Sequence, residues 1–320
     1  MNLLTRIIAS LRYPETAWGK TLHRLIPIGL LVALLILGLG GFATYRIVAP
    51  SRLEESIDPS SFLLRNFQSI PFSGVDQTPL EGWFIPSVRG APVVFLCHGY
   101  RSNRAELLTL ASTFQENGYN LFLFDFRGHG VSGPRTCTLG VKEAGDLLSA
   151  IDLVLARDDV DHDRAGIWGV TLGAYAALSA SVESDKIKTL VVDSPFESPA
   201  RFVEMQSALV LGVDNLVLNK LALFGFNLIN LFAARSGEAF LNSLDALQQR
   251  TKLFITNEQD HVLEMQTLNI FNHAPQPKEL IRLRHSKTSI LYDIERKNYE
   301  NIVVEFFKKN LPLRLEPRTH

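Results

Sequence analysis

Residues 169–173 read Gly-Val-Thr-Leu-Gly, following an apolar run over Ala165–Val170 and preceding an Ala-rich stretch, Leu172 to Val182. This is the spacing of a nucleophile elbow, with threonine where the reacting hydroxyl sits. Its glycines leave room for a tight strand-to-helix reversal, which presents the hydroxyl of Thr171. The chemistry available to a hydroxyl held this way is attack on a carbonyl carbon. The turn His98-Gly99-Tyr100-Arg101-Ser102-Asn103-Arg104 follows another apolar run, Pro92 to Cys97. Gly99 lets backbone approach a ligand, so the N–H groups of Tyr100 and Leu172 form a candidate oxyanion hole. An acid and a histidine follow in chain order: Asp260 in Asn257-Glu258-Gln259-Asp260-His261, then His285 in Arg284-His285-Ser286. Nucleophile, acid and histidine in that order are the parts of an acyl-transfer triad. Glu258 is the second choice for the acid and His261 for the base. His98, before a glycine, and His129, in Asp125-Phe126-Arg127-Gly128-His129-Gly130-Val131-Ser132-Gly133, are expected to brace their loops.

These turns need a sheet to hold them. Apolar strand-like runs occur at Leu80 to Pro86, Pro92 to Cys97, Asn120 to Phe124, Ala165 to Val170, Thr189 to Val192, Lys252 to Thr256 and Glu279 to Leu283. Helical patterns lie between them, at 104–117, 141–157 and 172–182, and a closing helix is expected over Asp293 to Lys309. Strands that are apolar throughout and alternate with helices predict a mostly parallel, twisted α/β sheet covered on both faces. Ligands then bind beyond the carboxyl ends of the strands, where every turn named above lies. Residues 205–240 break the alternation. They are helical in pattern, and Leu221 to Ala234 is 14 residues without a charge. That length is short for a membrane span. The stretch is read as helices packed on the core, a cap over the site, or a surface that also meets a bilayer.

Composition narrows the partners. The chain has 320 residues, 46% apolar and 20% charged, which excludes a disordered or collagen-like chain. With 32 Lys and Arg against 33 Asp and Glu, there is no basic excess to neutralise a phosphate backbone, so no nucleic-acid partner is expected. Cys97 and Cys137 form neither a disulfide framework nor a metal spacing. The mean hydropathy of +0.10 is raised by one segment. Leu25 to Tyr45 contains 21 residues without a charge, enough to cross about 30 Å as a helix. A cleaved signal peptide is the competing reading, with Gly41-Phe42-Ala43 as its processing site. The 24 residues before the run, and its length, favour a retained anchor. Arg6, Arg12, Lys20 and Arg24 precede it, against Arg46 and Arg52 after it, so the main domain is expected on the non-cytoplasmic side.

The combination of HGYRSNR, DFRGHGVSG, GVTLG, and the acid and histidine after the last two strands resembles the α/β-hydrolase superfamily. The likeness is strongest to its membrane-anchored or secreted serine-hydrolase-like branch, and it extends over residues 62 to 312. The resemblance implies Thr171 as nucleophile, Asp260 as acid, His285 as base, Tyr100 and Leu172 as oxyanion donors, and a lid over about 200–245. No cofactor or metal is implied. The expected partner is an acyl substrate: a small molecule, a lipid or a peptide. The domain plan is a cytoplasmic segment 1–24, a transmembrane helix 25–45, a linker 46–61, the hydrolase domain 62–312 and a tail 313–320. Three positions depart from the family pattern: Thr171 replaces serine, Asn257 replaces a glycine, and His285 lacks a preceding glycine. Two functions follow, a hydrolase working through a Thr-Asp-His triad, or a membrane-tethered binding or scaffold protein whose pocket no longer turns over.

Overall fold

The computed structural model describes residues 17–53, 57–62, 64, 66–231, 236–284 and 293–314. Their strands are β1 Gln68–Ser73, β2 Pro79–Ile85, β3 Val93–Cys97, β4 Asn120–Phe124, β5 Ala165–Val170, β6 Ile187–Asp193, β7 Thr251–Asn257 and β8 Lys278–Leu283. They form one sheet in the order β1-β2-β4-β3-β5-β6-β7-β8. β1 and β2 pair antiparallel, as do β2 and β4, and the remaining pairs are parallel. The sequence reading has no counterpart to β1. Its side chains are exposed or half-buried, and Pro71 interrupts the apolar pattern. An edge strand tolerates both.

The helices are α1 Ala17–Val48, α2 Leu108–Glu116, α3 Glu143–Leu155, α4 Leu172–Glu183, α5 Pro199–Leu211, α6 Leu216–Ile229, α7 Gly237–Ser243, α8 His261–His273 and α9 Asp293–Asn310. Every residue of β3 and β4 is buried, as continuous apolar runs require when both faces are covered. Alternation sorts the side chains. Val94 and Leu96 join Trp168, Phe114 of α2, and Tyr299, Val303 and Phe307 of α9 in one core. On the opposite face of β5, Gly169 meets the backbone of Gly173 and Ala174 in α4. The sheet is therefore packed on both sides.

The chain divides into two compact units, Val48–Phe202 with Ile229–His320, and Met1–Ile47 with Val203–Leu228. The first holds the sheet. In the second, α1 lies against α6. Thr44 Oγ1 reaches the carbonyl oxygens of Gly40 at 2.9 Å and Ala222 at 3.1 Å. A Cβ at Gly225 would stand 2.5 Å from that hydroxyl, and one at Gly40 would stand 2.6 Å from Leu221 Cβ. Small residues thus set this helix–helix distance. Within α1, the 26 residues His23–Val48 are long and apolar enough to cross a membrane, by length and composition. Of the stretch 200–245, residues Val203–Leu228, most of α5 and α6, pack in the unit that contains α1.

Candidate active site

Thr171 sits between β5 and α4 with φ 47° and ψ −103°. A positive φ is rare outside glycine, and a β-branched residue there is strained by about 1–3 kcal/mol. The surroundings hold it. Thr171 N–H donates to Asp193 O at 2.9 Å, and Tyr175 N–H donates to Thr171 O at 3.0 Å. The elbow glycines are required for contact. A Cβ on Gly173 would lie 2.2 Å from Cys97 O, and one on Gly169 would lie 2.5 Å from the Gly173 backbone.

The hydroxyl faces the turn after β3. Tyr100 N–H donates to Thr171 Oγ1 at 3.2 Å. A Cβ at Gly99 would fall 2.8 Å from the same oxygen, so glycine is what lets the loop come this close. Leu172 opens α4, where the first N–H groups have no partner inside the helix. The two expected oxyanion donors thus flank the Thr171 hydroxyl, one in space and one in sequence.

The two histidines of the neighbouring loops are braces. His98 is fully buried, and its Nε2 accepts from Phe126 N–H at 3.0 Å. Its Nδ1 therefore donates to Gly99 O, at 2.8 Å. Burial pushes its pKa down to about 4. His129 Nε2 accepts from Arg101 N–H at 3.2 Å, and its Nδ1 lies 3.0 Å from Arg127 O. Burial lowers its pKa to about 3. Asp125 completes the joint, accepting from Arg104 N–H at 2.8 Å and Val131 N–H at 3.1 Å. Arg127 is held by both oxygens of buried Asp146, at 2.6 Å each. Arg52 clamps the outer edge of this loop, donating to the carbonyls of Gly130, Ser132 and Pro134.

Asp260 is half-buried and caps α8, its Oδ1 accepting from Leu263 N–H at 3.2 Å. Its Oδ2 has no hydrogen-bond partner among the described residues. The turn before it is built by Asn257, whose Oδ1 accepts from Gln259 N–H at 3.0 Å and whose carbonyl accepts from Asp260 N–H at 3.2 Å. Asn257 can make the first of these contacts and glycine cannot. Glu258 is exposed. His261 is 85% exposed, and its Nδ1 lies 3.7 Å from Glu264 of the same helix, so its ring pairs away from Asp260. His285 lies outside the described residues.

Sequence reasoning missed the support beneath the elbow. Tyr299 OH donates to Asp193 Oδ2 at 2.8 Å and accepts from Trp168 Nε1 at 3.1 Å. Ser194 Oγ donates to Asp193 Oδ1 at 2.8 Å. Burial, and next the charge of Asp193, hold the Tyr299 phenol well above its ordinary value. A run of packed rings, Tyr100–Phe202–Phe196–Tyr175–Phe240, ties the oxyanion turn to α4, α5 and α7 with centroids 4.5–5.2 Å apart. No sequence spacing signals either network, because partners come from distant elements.

A model of the alpha/beta hydrolase fold matches residues 92–222, which contain the oxyanion turn, the braced loop and the elbow. Solved structures are similar over most of the chain. The Pyrococcus furiosus esterase Pf2001 superposes with a TM-score of 0.63 at 21% identity, covering 82% of this chain and 99% of that one. The chain has the α/β-hydrolase fold. The hydrolase GrgF from Penicillium sp. sh18 gives 0.60 at 20% identity over 77% of this chain and 99% of its own. Among sequence relatives, the uncharacterised Escherichia coli O157:H7 protein YfhR is 28% identical over 222 residues, 67% of this chain and 70% of that protein.

Proposed function

We propose that this α/β-hydrolase-fold chain is a membrane-anchored hydrolase that cleaves ester, thioester or amide bonds through an acyl-enzyme on Thr171. The observation that carries the proposal is the Thr171 hydroxyl held in the elbow and facing the Tyr100 N–H at 3.2 Å. Thr171 Oγ1 attacks the substrate carbonyl carbon while His285 takes the hydroxyl proton. The carbonyl π pair moves onto oxygen, which the N–H groups of Tyr100 and Leu172 stabilise. Collapse expels the leaving group with the proton from His285. Water, deprotonated by His285, then releases the acid and restores Thr171. Asp260 orients the imidazole through Oδ2, since Oδ1 is engaged by the helix cap.

Esterases among the structural neighbours, including the acetyl xylan esterase of Paenibacillus sp. R4 (TM-score 0.55, 18% identity, covering 82% of this chain and 98% of that one), support hydrolysis as the reaction class. In this reading α1 is the anchor, supported by its length and apolar composition, and the Lys and Arg asymmetry around it favours a hydrolase domain on the non-cytoplasmic side. The substrate class is an acyl compound: a small molecule, a lipid or a peptide.

A binding or scaffold function on the same fold is the second reading, favoured by one observation. The β-branched Thr171 occupies a positive-φ elbow, and its methyl crowds an approaching carbonyl. Hydrolysis of p-nitrophenyl esters separates the two readings. Turnover by the wild type that is lost in both Thr171→Ala and His285→Ala supports the enzyme. An inert wild type whose Thr171→Ser variant turns over supports the binding protein.

A further inference from the structure

The hairpin of α5 and α6 leaves an apolar surface uncovered. Leu209 is 69% exposed, Leu216 71%, Val217 56% and Phe224 58%. Across α6 the only charged residue is Lys220, and it lies on this same surface. A row of large apolar side chains facing water is costly, at about 25 cal/mol per Å².

The contact with α1 says what covers it. Residues 203–228 pack in one unit with the long apolar helix. Gly40 lies at Leu221, and Thr44 lies at Ala222 and Gly225. Gly40 and Thr44 fall inside the uncharged stretch that ends at Tyr45, within about 8 Å of that end at about 1.5 Å per residue. Helices lying in a membrane interface bury their apolar faces to about 5–10 Å. The matching depth therefore applies to the middle of α6. The contacts also advance in the same sense along both chains, so Leu216 and Val217 lie deeper than Phe224; Asp214, at the turn before them, is tied back by Asn219 Nδ2, which donates to its Oδ1 at 2.8 Å. Lys220, on a flexible four-carbon stem, can keep its ammonium at the headgroups while its neighbours meet acyl chains.

We infer that the α5–α6 hairpin is a second membrane-contact element, its Leu209, Leu216, Val217 and Phe224 side chains immersed in the lipid leaflet that surrounds the end of α1. The inference rests on α1 being a retained span. The partner is the acyl region of a phospholipid leaflet, and the contact is apolar rather than headgroup-specific.

The experiment uses the full-length protein in vesicles of phosphatidylcholine and phosphatidylglycerol. Cys97 and Cys137 are buried, and burial pushes both thiols up, so an introduced cysteine is labelled selectively. A nitrobenzoxadiazole label is placed through Val217→Cys or Phe224→Cys. Leu34→Cys reports on the span and Glu116→Cys, on an exposed site of α2, reports on water. Quenching is read with acyl-brominated lipid and with aqueous iodide. The expected result is loss of about half the emission at positions 34, 217 and 224 by brominated lipid, and at 116 by iodide alone. Quenching at 34 by lipid, with 217 and 224 quenched only by iodide, overturns the inference and leaves the anchor standing. Protection of 217 and 224 from both quenchers means that protein, such as a second copy of this chain, covers the hairpin, and also overturns it. No lipid quenching at 34 removes the anchor and the inference together.

Discussion

Tyr100 and Thr171 are 71 residues apart in sequence, and the backbone N–H of the first donates to the side-chain oxygen of the second at 3.2 Å. The contact spans two strand ends, since the turn after β3 carries Tyr100 and the turn after β5 carries Thr171. Parallel pairing of Cys97 with Gly169 places the two turns side by side. The donor is main chain, so its position depends on loop geometry rather than on any one side chain of the turn.

That geometry depends on Gly173. A methyl there would lie 2.2 Å from the Cys97 carbonyl, which is backbone and cannot swing aside. Gly173→Ala is expected to lower stability by about 1–3 kcal/mol and to displace Thr171 from Tyr100. A shift of about 1 Å at a reacting atom costs roughly 100-fold in rate. Chemical denaturation together with ester turnover checks both effects. Wild-type stability and turnover would contradict the close approach.

The brace loop predicts a loss of a different size. Asp146 and Arg127 are buried with two 2.6 Å contacts, and removing one partner strands the other. Asp146→Ala is expected to cost about 3–5 kcal/mol of folding stability. Val75 O and Asp76 also contact Arg127 and soften the loss. A change in the denaturation midpoint worth less than 1 kcal/mol, about the ceiling for an exposed pair, would show that the ion pair is not buried in solution.

Stability should also fall in mild acid. His98 and His129 are neutral in the fold, with pKa values lowered by burial to about 4 and about 3. In the unfolded chain both titrate near 6.5. Well above pH 6.5 neither state binds a proton at these rings, and the histidines add no pH dependence. Below it, the unfolded chain gains protons that the native rings refuse. Each ring then removes about 2 kcal/mol of stability between pH 6.5 and 5, before most carboxylates titrate. Urea midpoints at the two pH values measure the loss, and His98→Gln should remove about half of it. An unchanged wild-type midpoint would contradict neutral, buried rings.

The anchor and its orientation are tested together. Full-length protein should stay with membranes through carbonate washing. A reporter that works only outside the cytoplasm, fused after His320, should be active. Release by carbonate contradicts the anchor, a mature chain beginning near Thr44 shows a cleaved signal, and an inactive reporter overturns the orientation.

The central strands were legible because buried parallel strands are unbroken apolar runs, as Val93–Cys97 and Asn120–Phe124 show; β2 and the half-buried β8 were read from shorter apolar stretches. The elbow was legible because its glycines and threonine fall at alternate positions within five residues, Gly169, Thr171 and Gly173. β1 was not, since Gln68–Ser73 buries too little to leave a pattern. The Asp193–Tyr299–Trp168 support was hidden because its partners lie up to 131 residues apart. The hairpin's attachment to α1 was hidden for the same reason: Thr44 and Ala222 are 178 residues apart, and neither residue type advertises the contact.

The most direct test of the central claim is to trap the acyl group. Wild-type protein is mixed with a p-nitrophenyl ester, quenched in acid, and mapped as peptides by mass spectrometry. The account predicts one acyl group on Thr171, accumulating more in His285→Ala if residual acylation persists there, and absent from Thr171→Ala along with ester turnover. Ester turnover that continues in Thr171→Ala, or an acyl group trapped on another side chain, would contradict it.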